Sequence, residues 1–287
     1  MYNKVKSFIR RLFDYRPVNH TTIEIKCVEK TAILKGRCAL ITGGTSGIGY
    51  SIAEAFLEAG SCAIITGRSQ ERIEKAIHTL SAKGQVYGFV LDNTNVVGYE
   101  NVFNHMLATV KEAGITNIDI LVNNAGVNYK GMPNATEKEY DQVMDTNLKG
   151  AFFLSQMFGK YMVANHIKGN ILNIASASSL RPADSAYTLS KWGLRGLTLG
   201  LAKSLGKNGI TVNGIAPGPT ATPMMIKDGN TNISLDRIPL GRYIMPEEVA
   251  SMAVMLVSDV CRGVMGDIIY ITGGAGVLTY DDVKYGF

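Results

Sequence analysis

The segment CALITGGTSGIGYSIAEAFLEAG, residues 38–60, restricts the possible folds more than any other stretch of the chain. A short apolar run reads as a strand, clustered glycines as a turn, and the residues after them repeat their apolar positions at helical spacing. A strand that turns straight into a helix opens an α/β unit. From Arg37 onward the same alternation of short apolar runs and longer amphipathic segments continues, the mark of a parallel sheet covered by helices. Strands are expected near 38–42, 61–66, 86–91, 118–122, 170–175, 210–215 and 267–271, and helices near 47–59, 69–83, 99–113, 136–164, 185–206 and 246–258. No repeat, low-complexity run or Pro/Ser-rich linker divides this body. The expectation is one doubly wound α/β domain with a parallel seven-stranded sheet over 37–287, behind an extension of residues 1–36. The stretch 217–245 lacks clear periodicity and reads as a binding loop or lid.

Charge separates the extension from the body. Residues 1–36 hold eight Lys/Arg against three Asp/Glu, which accounts for the whole net charge of +5, and the remaining 251 residues balance 21 basic against 21 acidic. The body therefore gives no reason to expect nucleic acid. The extension has no apolar core of signal-peptide length, and no apolar run approaches a membrane span. Its motif SFIRRLF suits a short amphipathic arm, packed on its own body or a neighbouring subunit, with a weak membrane-surface contact as the lesser reading. Cys27, Cys38, Cys62 and Cys261 are scattered without a Cys-x-x-Cys pair. That suits packing thiols in a reducing cytoplasm and offers no metal pattern.

Two constellations carry chemistry. Gly43, Gly47 and Gly49, spaced G-x-x-x-G-x-G between strand and helix, allow a sharp turn and close approach of the backbone to a pyrophosphate at a helix N-terminus. After the second strand, where a carboxylate would hold ribose hydroxyls, the chain has Gly67 and then Arg68; a guanidinium suits a 2′-phosphate and favours NADP(H) over NAD(H). Farther along, Tyr187 and Lys191 in AYTLSKWG stand four residues apart and so share a helix face. A unit charge about 4 Å away at an effective dielectric near 20 is worth roughly 4 kcal/mol. That is enough to bring a phenol pKa of about 10 down towards about 7 before screening. With Asn147 and Ser176, the set reads as an oxidoreductase that reduces a carbonyl or oxidises an alcohol with a nicotinamide cofactor.

TGGTSGIG, Asp92, NNAG at 123–126, Asn147 in MDTNLKG, Ser176 in NIASASS, Tyr187-x-x-x-Lys191 and PGPTAT at 217–222 occur in one order. Over about 35–275 the chain resembles the short-chain dehydrogenase/reductase family. The resemblance implies a Rossmann fold and a role for each matching residue. Tyr187 is the general acid in reduction and base in oxidation, Lys191 supports it and binds the nicotinamide ribose, and Ser176 hydrogen-bonds the substrate oxygen. Asn147 holds a water linking Lys191 to solvent. Thr45, Ser46 and Ile48 complete the glycine loop, Asp92 meets the adenine edge, Asn123, Ala125 and Gly126 line the cofactor, and Pro217, Gly218, Thr220 and Thr222 lie against it, with Thr222 on the carboxamide. The resemblance also implies a homotetramer, with a homodimer next. A cofactor sensor or scaffold without turnover is the alternative, and it would be expected to have lost the tyrosine or the lysine.

The chain departs from the pattern twice. Ser176 lies about two residues nearer Tyr187 than usual, which trims the loop LRPADS and leaves Ser178 as a second candidate behind Ser176. The residue before the second glycine of the loop is Ser46 instead of a basic one, which leaves Arg68 as the cofactor discriminator. The substrate pocket is expected among Val127, Asn128, Tyr129, Met132, Leu180, Arg181, Met224, Met225 and Ile226, with Arg181 and Arg242 as candidates to meet an acidic group. The substrate itself, whether steroid-like, sugar-like or an acyl thioester, is left open.

Overall fold

The computed structural model describes residues 32–224 and 232–277. Most of the basic extension, together with Met225 and Ile226, lies outside the described residues. Seven strands form one sheet: β1 (Cys38–Ile41), β2 (Cys62–Gly67), β3 (Val86–Val90), β4 (Ile120–Asn123), β5 (Asn170–Ile174), β6 (Thr211–Pro217) and β7 (Ile268–Ile271). Their order is β3-β2-β1-β4-β5-β6-β7, and every pairing is parallel. The chain reverses direction across the sheet between β1 and β4, which opens a crevice at their C-terminal edges. All seven expected strands are present.

Helices cover both faces: α1 (Gly47–Glu58), α2 (Gln70–Leu80), α3 (Tyr99–Glu112), α4 (Glu137–Met144), α5 (Gly150–Ala164), α6 (Ala186–Leu205) and α7 (Pro246–Val257). Side chains alternate along β1 as a pleated strand requires. Ala39 and Ile41 join Ile52, Phe56, Val249 and Val254 in one core, and Cys38 and Leu40 join Phe103, Phe158 and Met162 in the other. Truncating a fully buried ring such as Phe56 or Phe158 to alanine would cost about 3–5 kcal/mol. Leu34 is fully buried in the first core and its N–H bonds to Ala59 O at 2.9 Å. The packed body thus begins before Arg37. At the N-terminal edge of the sheet Arg37 pairs with Asp119 and reaches Asn170 Oδ1 at 2.6 Å, tying three strand starts together.

One expected element differs. The helix over 136–164 keeps its course, but its α-type bonding is interrupted: a π turn, Asp145–Lys149, lies between α4 and α5. Thr136 and Glu139 start α4 with a capping box, as TEKE in the sequence implies. The break arises where Asn147 turns its amide away to bond the Val127 backbone. It continues at Gly150, whose missing Cβ would stand 2.7 Å from Asn93 O. Inserted turns of this kind are frequent at functional sites.

Candidate active site

The crevice at the C-terminal edge of the sheet opens into a cleft of about 1170 Å³. Its two ends are built differently. At the β1–β2 end the wall is the glycine loop, Gly43, Thr45, Ser46, Gly47 and Ile48, followed by Gly67 and Arg68. Gly43 and Gly47 hold φ of 64° and 57°, a backbone region that side chains strain. Ser46 is the N-cap of α1 yet makes no capping bond, and no acidic residue sits in the first turn. By contrast Ser69, Thr136 and Ser185 cap α2, α4 and α6 with their hydroxyls. Uncapped N–H donors on a positive dipole end facing a cleft suit a phosphate group. Gly49 does not line the cleft; a Cβ there would sit 2.4 Å from Asn124 Nδ2 and 2.5 Å from Gly43 O, so this glycine serves the packing of helix on loop.

The NNAG segment supplies the wall beneath. Thr42 Oγ1 accepts from the N–H groups of Asn124 and Ala125, both at 3.0 Å, while Asn124 Nδ2 donates to Thr42 O at 2.9 Å and Gly43 O at 3.1 Å. Asn124, Ala125 and Gly126 line the cleft. Asn123, expected there, does not. It is buried, and its Nδ2 donates to Ser155 Oγ and Asn173 Oδ1, in a chain of side chains that continues through Asn173 to Thr198. Strand alternation explains the swap: neighbours on an extended chain face opposite ways. Asp92 lines the cleft with Oδ1 accepting from the N–H and Oγ1 of Thr94, each at 2.9 Å. Pro217, Gly218, Thr220 and Thr222 line it from β6 onward. Ser69, Glu71 and Arg72 extend the lining beside Arg68, so the β2 tip carries two arginines and one glutamate.

At the other end side chains dominate. Ser176, Tyr187 and Lys191 all line the cleft. Ser176 follows β5, and Tyr187 and Lys191 lie on the first turns of α6, begun by Ser185 whose hydroxyl accepts from Thr188 N. Burial pushes the Tyr187 phenol above its ordinary value, and its hydrogen bond with Ser176 opposes that only in part. The downward shift expected from Lys191 is not what the geometry gives. Lys191 Nζ stands 5.6 Å from the Tyr187 ring centroid and donates to Ile174 O at 2.7 Å. Burial among these groups pushes the lysine down to about 8. Desolvation therefore outweighs the attraction of the two groups, and near neutral pH the phenol keeps its proton.

Asn147 is placed behind this pair, and both ends of its amide are bonded. Oδ1 accepts from Val127 N at 2.8 Å, and Nδ2 donates to Val127 O at 3.0 Å and Ser190 Oγ at 3.2 Å. Ser190 Oγ in turn donates to Tyr187 O at 2.7 Å. The side chain thus locks the loop after NNAG to the turn carrying Tyr187. Between the two serine candidates, Ser176 reaches the phenol; Ser178 contributes its N–H, which donates to Ser176 Oγ at 3.1 Å.

The trimmed loop 180–185 is stapled on both sides. Trp192 Nε1 donates to Arg181 O and Met132 N donates to Asp184 O, each at 2.8 Å. Val127, Asn128, Tyr129, Met132, Arg181 and Met224 line the cleft as expected, and Leu180 does not. Arg242 is withdrawn from it as well, pairing through both Nη atoms with Glu248 at 2.8 and 3.0 Å to fix the start of α7. Arg237, which the sequence did not single out, lines the cleft instead.

Residues 37–232 match the family model described as short chain dehydrogenase. The chain belongs to the short-chain dehydrogenase family. It is accordingly an oxidoreductase that works with a nicotinamide cofactor on CH–OH or keto groups. Similar curated proteins include the 3-oxoacyl-acyl-carrier-protein reductase of Thermotoga maritima, 36% identical over 247 residues, or 84% of this chain and 98% of the relative. The gluconate 5-dehydrogenase of Gluconobacter oxydans is 32% identical over 252 residues, covering 85% and 96%. Among solved structures, a putative gluconate dehydrogenase from Agrobacterium tumefaciens superposes with a TM-score of 0.77 at 32% identity, over 88% of this chain and 100% of that one. Among the described residues no cluster of His, Cys, Asp and Glu could hold a metal ion, and no helix is long and apolar enough to cross a membrane.

Proposed function

We propose that this short-chain dehydrogenase is an NADP(H)-preferring carbonyl reductase with Tyr187 as its proton donor. The reading rests on one observation above the rest: Ser176, Tyr187 and Lys191 converge on one cleft whose far end is a glycine-lined wall with free N–H donors. When bound, the nicotinamide dinucleotide supplies the hydride. Tyr187 Oη gives its proton to the carbonyl oxygen as charge develops there, and the raised phenol pKa keeps that proton in place until it is needed. Ser176 Oγ stabilises the same oxygen by hydrogen bonding. Lys191 supplies positive charge beneath the phenol and reaches the ribose hydroxyls. Asn147 holds a water that relays protons to Lys191, and its side-chain bonds to Val127 and Ser190 keep it in place behind the pair.

At the β2 tip Arg68 supports NADP(H), and Arg72 adds a second guanidinium for a 2′-phosphate. Ala125 and Gly126 floor the cofactor, Asp92 meets its adenine, and Thr222 its carboxamide. The free thiols of Cys38, Cys62 and Cys261 agree with a cytoplasmic setting. Phe152 on α5 and Leu189 and Leu199 on α6 are exposed, and these are the residues a second copy would cover in a homotetramer or homodimer. The reductase and dehydrogenase names of the relatives point to oxoacyl or polyol-acid carbonyls as the first substrates to try.

NADPH oxidation over a panel of oxoacyl thioesters, keto-sugars and ketosteroids tests the reading. The wild type is expected to turn over at least one class, and Tyr187→Phe to bind NADPH without oxidising it. Turnover retained by Tyr187→Phe would defeat the proposal, and NADPH binding with no class reduced would favour a sensor without chemistry.

A further inference from the structure

Besides Lys191, the cleft carries guanidinium groups at the tip of β2 and, on another side, at Arg181 and Arg237. Arg68 and Arg72 stand at the tip of β2. Arg237 belongs to a turn that packs on the end of β7: Leu240 N donates to Gly273 O at 3.0 Å, and Pro239 fills the space where Gly274 lacks a Cβ, 2.6 Å away. β2 and β7 are five strand positions apart, which at about 4.8 Å per step is roughly 24 Å. The backbone turns that carry the two sets of guanidinium groups therefore stand towards opposite ends of the sheet.

The turn bearing Arg237 is rigid. Leu235 N bonds to Gly241 O and Gly241 N to Ile238 O, both at 2.8 Å, and Ile238 is 2% exposed. Arg237 itself is exposed into the cleft, and among the described residues no hydrogen bond or ion pair engages it. Its neighbour Asp236 turns to Ser234 Oγ at 3.2 Å. Arg181 lines the same side, its Nε 3.2 Å from where a Gly276 Cβ would stand, and Asp184 is the carboxylate there. Tyr129, Met132 and Met224 supply apolar surface between.

We propose that the substrate carries a carboxylate or phosphate group away from its reacting carbonyl, and that Arg237 is the specificity-determining residue that receives it. This rests on the carbonyl-reductase reading of the cleft. A fixed stem lowers the ordering cost of binding, and a guanidinium engages an oxyanion through two parallel hydrogen bonds.

The test uses the full chain with NADP⁺ bound. Trp192 is the one tryptophan, and its indole bonds the Arg181 carbonyl at the cleft edge, so its fluorescence reads ligand entry without turnover. Titrants are levulinate, its homologues one and two carbons longer, and the methyl esters of all three. At least one acid is expected to bind about tenfold tighter than its ester. Arg237→Gln should erase that ratio while leaving the esters unchanged, and Arg237→Lys should restore part of it. Acids and esters that titrate alike, or an Arg237→Gln protein that loses both equally, would overturn the subsite. So would a variant that loses NADPH affinity and keeps the acid-to-ester ratio, which would give the arginine to the cofactor. If NADPH binds but neither series does, the subsite falls, while the carbonyl reading is decided separately by the NADPH-oxidation panel.

Discussion

The two ends of the cleft differ in what they are made of. The β1–β2 end is shaped by absences: glycines without Cβ atoms, an N-cap without a capping bond, and a helix start without acid. The β5–β7 end is shaped by side chains that bond one another or the backbone nearby: Ser176 to Tyr187, Asn147 to Ser190 and the Val127 backbone, and Trp192 to the Arg181 carbonyl before α6. The first kind of site admits a ligand to the backbone and tolerates almost no added atom. The second sets chemistry and selectivity, and tolerates change wherever the bonded frame survives. Substitutions should therefore fail in different ways at the two ends.

The largest expected effect separates two serines at the chemical end. Ser176 touches the phenol through its hydroxyl, whereas Ser178 contributes a backbone N–H that alanine retains. Ser176→Ala should lower kcat by about 10²-fold or more, the usual cost of losing one donor to a developing oxyanion. Ser178→Ala should stay within about twofold. Steady-state kinetics decides it, and comparable losses in both would remove Ser176 from its assigned place.

Next in size is Gly49→Ala at the backbone end. In a helix, alanine ordinarily gains about 1 kcal/mol over glycine. Here the added methyl would overlap Asn124 Nδ2 and the Gly43 carbonyl. Overpacking of that kind costs about 1–3 kcal/mol, so strain should win. A lowered Tm together with weaker NADPH binding is expected, since the displaced groups hold the glycine loop. A Tm equal to or above that of the wild type would show that the loop has room. Smaller again is Arg68→Ala, which should weaken NADPH about tenfold and NADH hardly at all, because only the former brings the extra phosphate. Arg72 beside it limits the loss, and equal losses for the two cofactors would make Arg68 incidental.

The same contrast explains what could be read from the chain before its structure. Short apolar runs set between amphipathic segments announced all seven strands, and the glycine turn announced the backbone end, because local sequence alone sets both. The Ser176, Tyr187 and Lys191 set was legible through order and spacing. Four features were not. The π turn at Asp145–Lys149 follows from a contact between Asn147 and Val127, 20 residues apart, which no helical periodicity records. The exchange of Asn123 for Asn124 depends on which face of β4 meets the cleft, and adjacent identical residues hide it. Arg237 and Arg242 lie five apart in one irregular stretch, and only the placement of Glu248 shows which is spoken for. The balance between burial and charge at Tyr187 also escaped, since helical spacing gives neighbours but not depth.

Lys191 gives the subtlest test, because its activity and stability effects run in opposite directions. Its pKa, pushed down to about 8 by burial, leaves it about nine-tenths charged at pH 7, so the effect there is small. Above pH 8 the free protein loses the ammonium, and kcat/KM for reduction, which reports groups of the free enzyme, should bend downward near that value. Stability should move the other way. Between the lowered folded value and the ordinary lysine value of 10.5, the unfolded chain binds more protons than the folded one, so the Lys191 contribution becomes less unfavourable as pH rises through that window. Activity falling while the Lys191 share of stability improves cannot be loss of fold. Lys191→Arg keeps its charge throughout and should show a lower kcat/KM without the bend, whereas a bend that survives in Lys191→Arg would belong to another group. Comparing Tm against pH for the wild type and Lys191→Met isolates the stability share: the margin by which Met is more stable should shrink from pH 8 towards pH 10, and a constant margin would mean that the lysine is not held in the dry site that the cleft gives it.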